Sequence, residues 1–214
     1  MKTSTTLIVS VALIVLFFGA VLWLSGKGGA PIASIEAADW TDGALDPKVE
    51  LIEYSDFQCP ACAAYEPLVA EIRGDFNDTL RFAYRHFPLT QIHQNAVLAA
   101  KAAEAAGKQG KFWEMHDLLF EKQEEWATSA TMRTLATAYA KELGLDTARF
   151  EADLDSKETE DKIERDYAGG LRLKVNATPT FFVNGTKIKN PGNYDEFKRE
   201  IERAMERGLP PVTP

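Results

Sequence analysis

Cysteine is scarce in this chain: Cys59 and Cys62 are the only two among 214 residues. A structural zinc site takes four Cys or His ligands, and no second Cys pair or Cys/His pair completes such a set. A purely structural disulfide would close a ring of only four residues, which restricts the unfolded chain very little. Both uses remain alternatives, but the pattern favours a reactive pair of thiols.

Clusters of positive charge are also missing. All 32 acidic residues and 22 of the 24 basic residues lie from Glu36 onward, so that part of the chain has a net charge of −10. A surface of this sign repels nucleic acid and anionic lipid headgroups, and we expect no nucleic-acid partner. The sequence has no internal repeat and no heptad run, and residues 40–208 are enough for one domain with a full hydrophobic core.

A long apolar run occurs once, at residues 7–24, with no charged side chain and only Ser10 as a polar interruption. Its 18 residues approach the lower limit for a membrane-spanning helix and exceed the usual apolar region of a cleaved signal peptide. We therefore favour an uncleaved signal-anchor, with a removed signal as the alternative. We expect residues 1–6 in the cytoplasm, residues 25–39 as a tether, and the rest on the extracytoplasmic side.

The two cysteines are spaced Cys-Pro-Ala-Cys, directly after a strand-like run at residues 48–54. This spacing predicts that both lie on the first turn of a helix, with Pro60 at the first helical position. Unpaired backbone N–H groups and the positive end of the helix dipole favour the thiolate there. Because the thiolate is the species that attacks disulfides, the pattern predicts a redox centre.

Hydrophobic periodicity predicts the elements that follow. Residues 80–89 alternate like a strand, and from residue 92 to about 166 the period becomes helical, which predicts three to five helices. Residues 179–183 and 186–188 read as a hairpin around Asn-Gly, and a last helix follows Asn193. The predicted order is strand, Cys helix, strand, helical block, hairpin and helix.

This order resembles the α/β thioredoxin fold with an inserted all-helical subdomain, as in the DsbA-like thiol–disulfide oxidoreductases. Three stretches carry the resemblance: Asp-Phe-Gln-Cys-Pro-Ala-Cys at 56–62, Phe-Trp-Glu-Met-His-Asp-Leu-Leu-Phe at 112–120, and Ala-Thr-Pro-Thr-Phe-Phe-Val-Asn-Gly at 177–185. The resemblance implies one thioredoxin-like domain over residues 40–208, a helical insertion at about 92–170, and a C-terminal tail at 209–214.

The resemblance also implies roles for individual residues. Cys59 corresponds to the exposed attacking cysteine and Cys62 to the buried resolving cysteine. Pro179 corresponds to a cis-proline that faces the dithiol, although an ordinary trans proline opening a strand is the alternative. The backbone of Thr178 would then present an edge to which an extended substrate pairs like a strand.

Pro60 and Ala61 lie between the cysteines and are expected beside the bound substrate. Strongly oxidising members of the resembled family have a His at the position of Ala61, which stabilises the thiolate. Its absence here raises the pKa of the nucleophile, and whatever stabilises the reduced form makes the disulfide a stronger oxidant. We therefore expect a less oxidising centre, by about 30 mV for each pKa unit.

Glu53 lies six residues before Cys59 on the predicted central strand. In the resembled enzymes an acidic residue at this place helps to move the proton of the resolving cysteine. Burial in an apolar strand would raise its pKa toward the range of a proton carrier, whereas a solvent-facing Glu53 is the alternative. His86, His93 and His116 are expected to be strand, loop or core residues, with His116 near enough to tune the site.

The sequence therefore predicts an enzyme, a protein disulfide oxidoreductase that acts on exported, cysteine-containing proteins in the direction of disulfide formation. The resemblance implies no cofactor beyond the redox-active Cys59–Cys62 pair, and a quinone-linked membrane partner that reoxidises it. Reduction or isomerisation by the same fold is one alternative. A module that holds soft Cu(I) or Zn(II), and a binding module or chaperone with an incidental dithiol, are the others.

Overall fold

The computed structural model describes residues 33–209. The predicted signal-anchor at residues 7–24 lies outside this range, as do residues 1–6, most of the tether and most of the C-terminal tail. Within the described range, no helix has both the length and the apolar composition needed to cross a bilayer.

The centre of the domain is a mixed sheet of five strands. They are β1 (Trp40–Gly43), β2 (Val49–Ser55), β3 (Leu80–His86), β4 (Thr180–Val183) and β5 (Thr186–Lys187), arranged in the order β1-β3-β2-β4-β5. β2 pairs parallel with β3 and antiparallel with β4, so the strand that leads to the cysteines is the middle one. It is buried along almost its whole length because protein covers both faces of the sheet.

The helix that carries the cysteines, α1 (Pro60–Asp75), follows β2 after a short turn. Cys59 is its N-cap and Pro60 its first residue, as the spacing predicts. Cys62, Val69 and Ile72 form its buried side, because residues three and seven apart lie on one face of a helix. This face shares the main hydrophobic core with β2 and β3, which holds the start of α1 above the end of the central strand.

A helical insertion separates β3 from β4. Its helices are α2 (Ala96–Gly107), α3 (Phe112–Glu121), α4 (Gln123–Trp126), α5 (Met132–Glu142), α6 (Thr147–Leu154) and α7 (Lys157–Arg172). The thioredoxin-like fold with a helical insertion is confirmed, and the insertion ends close to the predicted limits. Six helices replace the predicted three to five, because a helix of four residues, such as α4, is too short to leave a periodic pattern.

β4 and β5 form the predicted hairpin. Asn184 and Gly185 at its turn have φ angles of 47° and 78°, the positive values that a two-residue turn of this kind requires. The last helix, α8 (Tyr194–Arg207), begins where the sequence predicts, because the Asn193 side chain accepts the N–H of Glu196 at 3.0 Å.

The domain begins earlier than the predicted boundary at residue 40. Ala33 is buried, and its N–H donates to the turn between β4 and β5 at 3.4 Å. Arg85 donates to the carbonyl of Ser34 at 2.6 Å and to the Asp39 carboxylate at 2.7 Å. Such polar contacts leave no hydrophobic period, so residues 33–39 read as part of the tether. The four-residue β1 is too short to show a period and is missing from the predicted order.

Candidate active site

Both cysteines lie where the central strand passes into α1, and both thiols are free. Cys62 is 1% exposed and Cys59 is 7% exposed. Cys59 is the more accessible sulfur, but the expectation of an exposed attacking cysteine needs correction, because the segment around Thr178 covers it. Pro60 and Ala61, the two residues between the cysteines, are exposed at the surface beside it.

The segment before β4 faces the dithiol. The Thr178–Pro179 peptide bond is cis, the conformation that the resemblance implied. The Sγ atom of Cys59 lies 3.5 Å from the carbonyl oxygen of Thr178, and the Thr178 hydroxyl is buried without a hydrogen-bond partner. Asn190 donates to the carbonyl of Pro179 at 2.8 Å, which holds this segment in place.

Hydrogen-bond donors around Cys59 lower the pKa of its thiol to about 5. The thiol of Cys62 has the largest effect, and it prevails over burial, which opposes ionisation. The Thr178 side chain and the backbone N–H groups of Cys62 and Ala61 lower the pKa further. The helix N-terminus therefore lowers the pKa of Cys59, as the sequence predicts, but the neighbouring thiol lowers it more.

The resolving position has the opposite environment. Burial raises the pKa of the Cys62 thiol well above 9, and both Cys59 and the charge on Glu53 raise it further. Glu53, on β2, is only 2% exposed, so the structure shows the buried alternative and not the solvent-facing one. Burial raises the pKa of Glu53 to about 7, against the partial opposition of the Ser55 hydroxyl and the Arg73 charge.

Three buried polar atoms of the central strands have no hydrogen-bond partner: Glu53 Oε2, Ser55 Oγ and Tyr84 Oη. Tyr84 is the register partner of Glu53 on β3, and burial, followed by the charges on Glu53 and Cys62, raises its pKa well above 10. Buried polar groups in proteins are nearly always paired. An unpaired carboxyl beside a thiol that must change its protonation state is a feature of sites where protons move.

Asp56 anchors the loop before Cys59, a role that the sequence analysis missed. Its buried carboxylate accepts the N–H of Gln58 at 2.8 Å, the N–H of Leu89 at 2.8 Å and Nδ1 of His93 at 2.7 Å. His93 is thus a loop residue, as expected, that ties the segment after β3 to the active-site loop. Leu89 and His93 lie 33 and 37 residues away in the sequence, so no local pattern could connect them to Asp56.

Two glutamines connect the same loop to the helical insertion. Gln123 of α4 donates to the carbonyl of Phe57 at 2.6 Å and to that of Cys59 at 3.1 Å. Gln58 donates to the carbonyl of Ala127 at 2.7 Å. The insertion therefore fixes the backbone on which the first cysteine is mounted.

His86 and His116 are core residues, as expected, and both are fully buried. Nδ1 of His116 lies 2.8 Å from Oδ1 of Asp117, while its Nε2 lies 3.9 Å from Oε2 of Glu66 and has no hydrogen-bond partner. Within residues 33–209, Glu66, His116 and Asp117 are a group whose ligand atoms lie within 4.8 Å of one another, as metal ligands do, and it does not include the cysteines.

Comparison with known proteins places this geometry in a family. A protein-family model described as "Thioredoxin" matches residues 37–203. The chain is 39% identical over 167 residues to the Na(+)/H(+) antiporter NhaA 3 of Salinispora tropica and 41% identical over 157 residues to the Na(+)/H(+) antiporter NhaA of Herminiimonas arsenicoxydans. These matches cover 78% and 73% of this chain but only 25% and 24% of the relatives. The chain therefore spans about a quarter of the length of the antiporters that it matches.

Solved structures give the same assignment. The oxidised BdbD of Bacillus subtilis is 28% identical, with a TM-score of 0.73 over 83% of this chain and 97% of that chain. A thioredoxin-like oxidoreductase from Silicibacter pomeroyi is 26% identical, with a TM-score of 0.66 over 80% and 94% of the two chains. The alpha-DsbA1 of Wolbachia pipientis, 21% identical, has the same fold at a TM-score of 0.72 over 81% and 94%. The chain therefore belongs to the thioredoxin family, and its fold is that of the BdbD and alpha-DsbA1 structures.

Proposed function

We propose that this protein forms disulfide bonds in exported proteins by exchanging a Cys59–Cys62 disulfide with pairs of substrate thiols. The observation that carries the proposal is the inequality of the two sulfurs. Hydrogen-bond donors hold Cys59 as a thiolate, while burial holds Cys62 as a thiol. Stabilising the thiolate stabilises the reduced form, and an enzyme with a stable reduced form transfers its disulfide readily.

The exchange begins when a substrate thiolate attacks Sγ of Cys59, the more accessible sulfur of the pair. The Cys59–Cys62 bond breaks, its electron pair goes to Cys62, and a mixed disulfide forms between Cys59 and the substrate. A second substrate thiolate then attacks the substrate sulfur of that bond, and Cys59 leaves as a thiolate. The substrate loses two electrons and the enzyme gains them.

Glu53 is the proposed source of the proton that Cys62 takes up in the first step. A buried thiolate at Cys62 is unfavourable because its pKa is raised well above 9. Glu53 is buried near it, with a pKa of about 7, so it is partly protonated near neutral pH and can act as a general acid.

The substrate is proposed to bind across Pro60, Ala61 and the backbone of Thr178. Pro60 and Ala61 are exposed beside Cys59, and the Thr178 carbonyl lies 3.5 Å from the reacting sulfur. Main-chain hydrogen bonds to an extended peptide there would bind many sequences alike, which suits an enzyme that acts on diverse unfolded chains.

The direction of exchange depends on how far the thiolate is stabilised. Ala61 has no side-chain donor, so every donor to Cys59 is uncharged: a thiol, a hydroxyl and backbone N–H groups. A positively charged side chain at position 61 would add to these. We therefore expect an oxidising centre that is weaker than that of family members with His at this position.

The proposed location is the extracytoplasmic side of a membrane, with the run at residues 7–24 as the anchor. A thiol oxidase that works in many cycles needs an oxidant, and we propose a quinone-linked membrane protein as the partner that restores the Cys59–Cys62 disulfide. Fractionation of cells with protease added from outside tests the location, since an exported domain is digested while cytoplasmic markers survive.

The decisive test of the function is the reduction potential of the Cys59–Cys62 pair in equilibrium with glutathione. A value of about −120 mV supports disulfide formation, and a value of about −270 mV would indicate a reductase. The wild-type protein should also oxidise a peptide that contains two thiols, whereas Cys59→Ser should not. Turnover by Cys59→Ser would show that the reaction does not pass through this sulfur.

A further inference from the structure

A cleft of about 700 Å³ lies beside the helix that carries the dithiol, lined by residues of β1, α1 and α3. The charged residues that line it in the described part of the chain are four carboxylates and one guanidinium: Asp42, Glu66, Asp117, Glu121 and Arg73. The side chains of Asp42 and Asp117 are open to solvent, and that of Glu66 is 16% exposed. A cleft with this excess of negative charge attracts cations.

A buried histidine lies behind Glu66. His116 of α3 is fully buried, and its Nδ1 lies 2.8 Å from Oδ1 of Asp117. A carboxylate can only accept a hydrogen bond, so Nδ1 is the nitrogen that carries the hydrogen. In the neutral ring Nε2 then presents its lone pair, and this atom has no hydrogen-bond partner. It faces Oε2 of Glu66 at 3.9 Å, which is too far for a direct hydrogen bond.

Nε2 of His116 and Oε2 of Glu66 both offer electron pairs, and they face each other inside the protein. Two such atoms repel unless a positive charge lies between them. A buried nitrogen without a partner also costs free energy, and nearly all buried polar groups are paired. A cation between the two atoms would satisfy both of them.

The spacing of these two atoms fits a zinc ion. Zinc bonds are about 2.0–2.1 Å long to a histidine nitrogen and about 2.0–2.2 Å long to a carboxylate oxygen. At the tetrahedral angle, such bonds place the nitrogen and the oxygen about 3.4 Å apart. The observed 3.9 Å closes to this value when the Glu66 carboxylate moves by about 0.5 Å, which its place at the wall of the cleft permits. An imidazole and a carboxylate suit zinc, whereas Ca²⁺ and Mg²⁺ bind oxygen ligands.

Asp117 completes the arrangement. A carboxylate on Nδ1 of a metal-binding histidine fixes the orientation of the ring and makes Nε2 more basic, and this pairing is usual at metal sites. The ligand atoms of Glu66, His116 and Asp117 all lie within 4.8 Å of one another. Because the cleft is open to solvent, water can occupy the remaining positions of a four-coordinate ion.

Arg73 also lines this cleft, but its charge is balanced by another group. Its Nη2 donates to the Asp42 carboxylate at 2.6 Å, and its guanidinium lies 4.5 Å from the centre of the Trp113 ring. Its Nη1 lies 4.0 Å from Oε1 of Glu66, beyond hydrogen-bond distance. The oxygen that faces His116 is Oε2, so it remains available to a cation.

We propose that Glu66 and His116 bind one Zn²⁺ ion between α1 and α3, with Asp117 orienting the imidazole. The ion joins the helix that carries the dithiol to the helical insertion, because Glu66 lies on α1 and His116 on α3. Neither Cys59 nor Cys62 is a ligand. The site is therefore independent of the proposed function, and it differs from a soft-metal site on the cysteines.

Calorimetric titration of the full chain with zinc chloride tests the site. The protein is used with its Cys59–Cys62 disulfide formed, so that no thiol can bind the metal. One Zn²⁺ should bind per chain, and a large excess of Ca²⁺ should not displace it, because one of the ligands is a nitrogen.

Three variants locate the ion. Glu66→Gln removes a charged ligand and should weaken zinc binding by about tenfold or more. Asp117→Asn removes the carboxylate from Nδ1 and should weaken zinc binding by about 10- to 100-fold. Glu121→Gln changes an exposed carboxyl of the same cleft, and as the matched control it should keep the wild-type affinity.

Thermal unfolding separates binding at this site from adsorption of zinc to the acidic surface. An ion that binds only the folded protein raises the midpoint of unfolding. Zinc should therefore raise this midpoint in wild type and in Glu121→Gln, and not in Glu66→Gln. If Glu66→Gln does not fold, Asp117→Asn provides the same comparison, because the Asp117 side chain is exposed.

The site is overturned if the disulfide form of wild type binds no zinc, or if Glu66→Gln and Asp117→Asn bind it as tightly as wild type. Binding that appears only after reduction would place the ion on Cys59 and Cys62 and would also overturn the site. Failure of wild type to oxidise a dithiol peptide would contradict the proposed function alone, so the two failures are distinguishable.

Discussion

The sulfur of Cys59 lies 3.5 Å from the carbonyl oxygen of Thr178, although 119 residues separate them in the chain. Thr178 has two different effects at this contact. Its carbonyl accepts a hydrogen bond from the neutral thiol, whereas its side chain lowers the pKa of Cys59 and so favours the thiolate. The Thr178 hydroxyl has no competing partner, so it is free to donate to the sulfur once the sulfur is ionised.

Thr178→Val should therefore raise the pKa of Cys59 above its wild-type value of about 5. Valine keeps the shape of threonine and removes only the hydroxyl. The rate of alkylation of reduced protein, followed against pH, measures the ionisation directly. Thr41→Val, on the edge strand β1, is the control, and an unchanged profile in Thr178→Val would show that the hydroxyl does not reach the sulfur.

Glu53→Gln should flatten the dependence of stability on pH. A carboxyl whose pKa is raised in the folded state, from 4.5 to about 7, binds more protons folded than unfolded. Its contribution is fully favourable below pH 4.5 and is lost as the pH rises to 7, by about 3 kcal/mol in all. Urea unfolding of the reduced protein at several pH values should show a loss in wild type that is smaller by about this amount in Glu53→Gln, because Glu66, whose pKa is also about 7, still contributes.

Glu50→Gln, on the same strand but only half-buried, is the matched control for that experiment. It should lose stability with pH in the same way as wild type. An equal pH dependence in Glu53→Gln and wild type would mean that Glu53 is not buried as the structure shows.

Asp56→Asn should destabilise the protein by about 2–3 kcal/mol, because the buried carboxylate accepts three hydrogen bonds and an amide cannot replace all of them. The loop before Cys59 should also loosen, which lowers the rate of exchange. Urea unfolding measures the first effect and peptide oxidation the second. Asp46→Asn changes an exposed Asp of the loop before β2 and should have the stability of wild type.

Two glycine-to-alanine changes in helices should change the free energy of unfolding in opposite directions. A Cβ at Gly107 would lie 2.7 Å from Cη2 of Trp40, whose ring is stacked on Phe112, so Gly107→Ala should destabilise by about 1–3 kcal/mol. Nothing lies within 4 Å of a Cβ at Gly74, so Gly74→Ala should stabilise by roughly 0.5–1 kcal/mol. The free energies of unfolding of the two variants decide this, and equal signs would contradict the packing of Trp40.

Much of the site could be predicted from short stretches of sequence, because those features are local. The position of Pro60 and the spacing of the cysteines determine the start of α1 and place both sulfurs on its first turn. The capping residue Asn193 and the turn at Asn184 act in the same way on the last helix and the hairpin.

Apart from the short β1 and α4, the sequence by itself determined the order of the elements. It also determined the helix start at the dithiol and the family, since these depend on residues close together in the chain. Only the tertiary structure decided which groups surround the sulfurs. Asp56 finds His93, Glu66 finds His116 and Cys59 finds Thr178 across many residues, through polar contacts that have no period in the sequence. Burial decided the rest: it is the enclosure of Glu53 and Cys62 by the folded core, and not their own chemistry, that raises the pKa of both.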